Sequence, residues 1–130
     1  MIKFEVENKP PIVEPSEKQV RQTIARLRSF GPSSFAVLGD DEGNYVQVAG
    51  GGITCMLERR DSTGGHYRGY KESTNLNYPD GTRLVFGAGD VIMQSDEWFL
   101  ETEVAEVFCA FLSGQTLPDF AKWREYLLNS

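Results

Sequence analysis

The chain has 130 residues, 40% of them hydrophobic and 12% aromatic, which is enough apolar surface for one domain core and leaves little room for a second. Its 19 acidic and 13 basic residues give a net charge of −6, which disfavours nucleic acid and anionic membrane surfaces and suits a basic partner. No apolar run reaches membrane-spanning length and the N-terminal MIKFEVENK alternates like a strand, not like a signal peptide, so a single domain over 1–130, cytoplasmic, is expected.

Ile2-Lys3-Phe4-Glu5-Val6 alternates apolar and polar and predicts a strand. Asn8 to Pro15 holds three prolines and reads as a linker or edge loop. Ser16 with Gln19 three residues on is a capping box, and Val20, Ile24 and Leu27 give the helix after it one apolar stripe. Gly31-Pro32 marks its end.

A run of strands follows. Phe35-Ala36-Val37-Leu38 and Tyr45-Val46-Gln47-Val48-Ala49 flank turn residues 39–44 and predict a hairpin. Gly50-Gly51-Gly52 predicts a second turn, and Ile53 to Glu58 a third strand with Ile53, Cys55 and Leu57 on one face. His66 to Lys71 is a more polar strand, expected toward an edge of the sheet. Arg83-Leu84-Val85-Phe86 and Val91-Ile92-Met93 are two further short strands around Gly87-Ala88-Gly89-Asp90.

The clearest periodicity lies in Thr102–Trp123. Val104, Val107, Phe108, Phe111 and Leu112 fall on one helical face, with Thr102 as the expected cap and Gly114 as the stop. Phe120 and Trp123 are expected to return bulk to the same core. The sum is an α+β fold: an antiparallel sheet of five or six strands packed against an N-terminal and a C-terminal helix.

No catalytic, cofactor-binding or metal-binding set emerges. His66 is the one histidine, so paired-imidazole and His-cluster chemistry are excluded. On its polar strand it reads as a surface side chain. Gly50-Gly51-Gly52 leads into a strand and not a helix, and Gly87-Ala88-Gly89 lacks the third glycine of a dinucleotide fingerprint. Cys55 and Cys109 read as buried, reduced packing residues.

Candidate partner-binding residues come from charge and aromatic character. Asp40, Asp41 and Glu42 cluster at a hairpin tip, and Asp96, Glu97 and Trp98 precede the last helix. Tyr67 and Tyr70 flank Arg68 on the polar strand, the residue types from which interface hot spots are made.

Phe108-Cys109-Ala110-Phe111-Leu112-Ser113-Gly114, then Leu117-Pro118, then Trp123, resembles the C-terminal signature of a bacterial immunity-protein family, with Ala105, Phe111, Leu112, Gly114, Pro118 and Trp123 at matching places. The hairpin with Gly43 and Gln47 is similar to that family's hairpin. The resemblance spans Phe35 to Trp123. It departs in the spacing from Gly114 to Pro118 and in Lys122 before the tryptophan.

The resemblance implies a non-catalytic protein encoded beside a polymorphic toxin, often a nucleic-acid deaminase, which it neutralises by blocking the active site. It carries over no catalytic residue and no interface residue. The alternatives are a small ligand-binding or enzymatic domain with a pocket between sheet and helices, using His66, Tyr67 and Asp90, or a homodimer joined through the edge near Tyr67 and Tyr70.

Overall fold

A computed structural model of the chain describes residues 1–126. The fold is α+β. The strands of the main sheet are β1 (Lys3–Val6), β2 (Ile12–Val13), β3 (Phe35–Gly39), β4 (Tyr45–Gly51), β5 (Thr54–Arg60), β6 (His66–Tyr70) and β9 (Lys122–Glu125). They run antiparallel in the order β2-β1-β3-β4-β5-β6-β9. The strands β7 (Thr82–Phe86) and β8 (Gly89–Met93) form a separate two-stranded hairpin.

The strand count differs from expectation for two reasons. Ile12–Val13, inside the expected loop, pairs with Lys3 and Phe4, and Lys122–Glu125 pairs with β6. Both are short edge additions whose apolar content is too small to stand out in sequence. The 83–93 segment leaves the main sheet and pairs only with itself, and β9 lies beside β6. Consequently β6 is not an edge strand, and the expected dimer edge at Tyr67 and Tyr70 is occupied by the chain's own β9.

The helices α1 (Glu17–Arg26) and α2 (Glu101–Leu112) pack on each other and on one face of the sheet. The capping box of α1 is formed: Gln19 N–H donates to Ser16 Oγ at 3.1 Å, and Ser16 N–H donates to Gln19 Oε1 at 2.8 Å. The cap of α2 is Leu100 and not Thr102. Leu100 has no polar side chain, so Glu103 Oε1 reaches back to accept its N–H at 2.9 Å. Gly114 takes φ 69°, the left-handed stop that a Cβ would strain.

The core divides by sheet face. On the helix side, Phe4, Leu38, Val46, Val48, Cys55 and Leu57 meet Val20, Ile24, Val104, Val107 and Phe108. Ile53 is not part of that row. It lies in the β4–β5 turn and is exposed. Phe120 is also exposed, and Trp123 packs at the margin of the core, only partly buried, so neither closes it as expected. On the opposite face the β7–β8 hairpin folds back, and Leu84, Met93 and Trp98 cover Ala49 and Met56. Cys55 and Cys109 are both buried and free, as expected. Burial pushes the Cys55 thiol up to about 12 and also raises that of Cys109. No described helix is long and apolar enough to cross a membrane.

Candidate interaction face

Cross-strand partners in a sheet share a face. The register Gln47↔Glu58, Glu58↔Arg68 and Arg68↔Arg124 therefore lays one polar row across four strands, on the side away from the helices. Gln47 Nε2 donates to Glu58 Oε1 at 2.6 Å, and Arg68 Nε donates to Glu58 Oε2 at 2.8 Å. Arg68 Nη1 lies 3.4 Å from Glu97 Oε1, which also accepts the Gln94 N–H at 2.7 Å. Arg124 closes the row, with Nη2 2.7 Å from Asp96 Oδ2 and Nη1 3.7 Å from Glu97 Oε2.

Glu58, Arg68 and Glu97 are all buried. The 94–97 segment and the Tyr126 ring, 4.3 Å from the Arg68 guanidinium carbon, shut them from water. Charges there are tolerable only because each has an opposite partner at hydrogen-bonding range. His66 belongs to the same network. It is buried, contrary to the surface reading, because Tyr126, just past the end of β9, donates its N–H to the His66 carbonyl at 2.8 Å and packs its ring 6.0 Å from the imidazole. Tyr45 Oη stands 3.3 Å from His66 Nδ1, and Glu58 Oε1 is 3.4 Å from His66 Nε2 but out of hydrogen-bonding alignment. Burial raises the Tyr45 phenol above its ordinary value, which keeps it a proton donor and a poor nucleophile.

The structure divides the sequence-selected residues among four places. Tyr70, Asp96 and Glu97 come together around Arg124, whose guanidinium carbon sits 4.1 Å from the Tyr70 ring centre. Glu97 and Trp98 are interior, not surface contacts: Glu97 is the counter-charge of Arg68 and Trp98 is packed under Tyr78. Tyr67 points to the helix side, where it meets Arg59.

Asp40, Asp41 and Glu42 occupy the β3–β4 turn, far along the sheet from the Tyr70 cluster. Asp40 is a turn residue, accepting from Glu42 N–H, Asn44 N–H and Asn44 Nδ2. Burial would raise its carboxyl, but those donors outweigh it and hold the group below the ordinary range. Asp41 pairs with the Met1 amino group, and Glu42 is exposed. Asp90 pairs with Arg83 on the outer side of the β7–β8 hairpin, so His66, Tyr67 and Asp90 do not share a pocket.

Sequence reading missed Glu58, Arg68 as a buried residue, Arg59 and Arg124. Strand alternation places Glu58 and Arg68 on one face only once the pairing register is known, and no residue type announces the register. Among the described residues, no three His, Cys, Asp or Glu side chains gather to hold a metal ion. Comparison of the chain with protein-family models, with curated proteins and with solved structures finds no match.

Proposed function

We propose that this chain is a non-catalytic immunity protein that binds a cognate protein toxin, a nucleic-acid deaminase in the sense of the family it resembles, and neutralises it by covering the active site. The observation that carries this reading is the pairing on the helix-free face. Its buried carboxylates, Glu58 and Glu97, are committed to Arg68 and Arg124, so this face supports a surface for binding and these two acids are occupied in ion pairs.

The placement of the acids adds support. Asp41 and Glu42 stand exposed at a turn, and Asp61 lies in the adjoining β5–β6 turn, tied to the first by Ser62 N–H donating to Asn44 Oδ1 at 2.8 Å. Acidic turns at one end of a sheet suit a basic groove built for a phosphate backbone. The residues that carry the family resemblance hold structural places: Gly43 takes φ 92° in the β3–β4 turn and Gly114 stops α2.

Tyr45, His66 and Glu58 form a hydroxyl–imidazole–carboxylate line that favours the second reading, a small enzymatic or ligand-binding domain. Co-expression with the product of the adjacent reading frame tests the first against the second. Rescue of growth by the wild type and by His66→Gln alike supports immunity. Absence of toxicity and of any complex would overturn it.

A further inference from the structure

We propose that Arg59 is the anchor of a binding site for a carboxylate carried on an apolar body. Arg59 projects to the helix side of β5, beyond the end of α2. Its guanidinium carbon lies 4.6 Å from the Tyr67 ring centre and 5.1 Å from that of Trp123. The two rings hold the side chain and leave the hydrogen-bonding fork uncommitted.

Most arginines of this acidic protein are otherwise engaged. Arg21, Arg28, Arg68, Arg83 and Arg124 each have a carboxylate within 4.0 Å. Arg59 has none among the described residues, although it is partly buried and its Nε is fully buried without a hydrogen-bond partner. Asp61 is close enough to feel the Arg59 charge but does not pair with it, and a half-desolvated guanidinium with no carboxylate in contact is a costly arrangement that a bound anion would relieve.

Space for the rest of the ligand lies beside it. A groove of about 590 Å³ runs past Arg59 between the start of β4 with the end of β5 and the close of α2. Ile2, Val46, Phe111, Leu112 and Leu117 supply its apolar walls. This is the common design of a small-molecule site: an apolar cleft with one fixed polar group that sets orientation. The groove's two arginines, Arg59 and Arg60, are offset by Asp40 and Asp61, so it holds no surplus positive charge for a dianion such as phosphate, and a monoanionic carboxylate is the fitting partner. The guanidinium fork matches a carboxylate in two parallel hydrogen bonds.

The test is a titration of the full chain followed by the Trp123 indole and Arg59 Nε–H resonances in proton–nitrogen NMR spectra. The probes are 4-phenylbutyrate and its amide, and a tetrapeptide ending in Phe with a free or an amidated C-terminus. Either acid is expected to shift both resonances saturably, with its amide at least about tenfold weaker. Tighter binding of the small acid identifies a free metabolite-like ligand, and tighter binding of the peptide identifies a chain terminus. Arg59→Gln is expected to lose at least about tenfold in affinity. Arg59→Lys, which keeps the charge and the fold but not the fork, is expected to lose most of it as well. Equal binding of acid and amide, no shift with any probe, or wild-type binding by Arg59→Lys overturns the proposal. The free protein is used throughout, so the outcome is independent of whether a toxin partner exists.

Discussion

Arg68 Nε lies 2.8 Å from Glu58 Oε2, and both side chains are almost wholly shut from solvent. Removing one member of such a set leaves the other as an uncompensated buried charge, which is far worse than never having the pair. Arg68→Leu strands Glu58, leaves Glu97 with only the more distant Arg124, and is expected to cost about 3–5 kcal/mol. Denaturant unfolding measures it. The double variant Glu58→Gln/Arg68→Leu is expected to recover part of that loss, and no recovery would mean that packing and not charge sets the cost.

The close of α1 on the sheet depends on a residue with no side chain. A Cβ on Gly51 would lie 1.9 Å from the Leu27 carbonyl oxygen, a clash with backbone that no rotamer relieves. Gly51→Ala is expected to lower stability by at least about 2 kcal/mol. Gly43→Asn is the control: Gly43 has open space around its missing Cβ, and asparagine tolerates its positive φ. A melting temperature near that of the wild type is expected for the control alone.

Acid sensitivity follows from the turns. The Thr63 hydroxyl, then the Gly65 and Thr63 amides, hold the Asp61 carboxyl below its ordinary value of 3.8. The Ser95 amide does the same for Asp80. A carboxyl depressed by folding contributes stability above its unfolded value, and loses it as pH falls through the folded one. Thermal stability is therefore expected to drop below about pH 4, with a shallower drop in Asp61→Ala. Parallel pH profiles for the two proteins would contradict this account of the turn.

Both thiols are predicted to be inert in the native state. The burial that raises Cys55 to about 12 leaves almost no thiolate at neutral pH, and burial raises Cys109 as well. A thiol reagent is expected to modify neither cysteine in buffer and both in denaturant. Rapid native labelling of either would place that residue at the surface.

Periodicity carried the helices and the central meander. Ser16 with Gln19, and Val104 with Val107 and Phe108, fix α1 and α2 through short-range spacing that any register of the sheet would satisfy. What could not be read was long-range pairing. Lys122–Glu125 is a strand only because β6 offers it an edge, and that one pairing moves His66, Arg68 and Glu97 from surface to interior. The acidic count likewise says nothing about which acids meet arginines, so Glu97 and Glu42 look alike in sequence. One is a buried counter-charge and the other an exposed turn residue.

The central claim is recognition of a protein partner, and the most direct measurement is the association rate with the purified product of the adjacent reading frame at low and at high salt. The account predicts a one-to-one complex whose on-rate falls steeply with salt, and falls by about tenfold at low salt in Asp41→Lys/Glu42→Lys with the melting temperature preserved. No complex at either salt, or a complex whose on-rate ignores both the salt and the charge reversal, would contradict it.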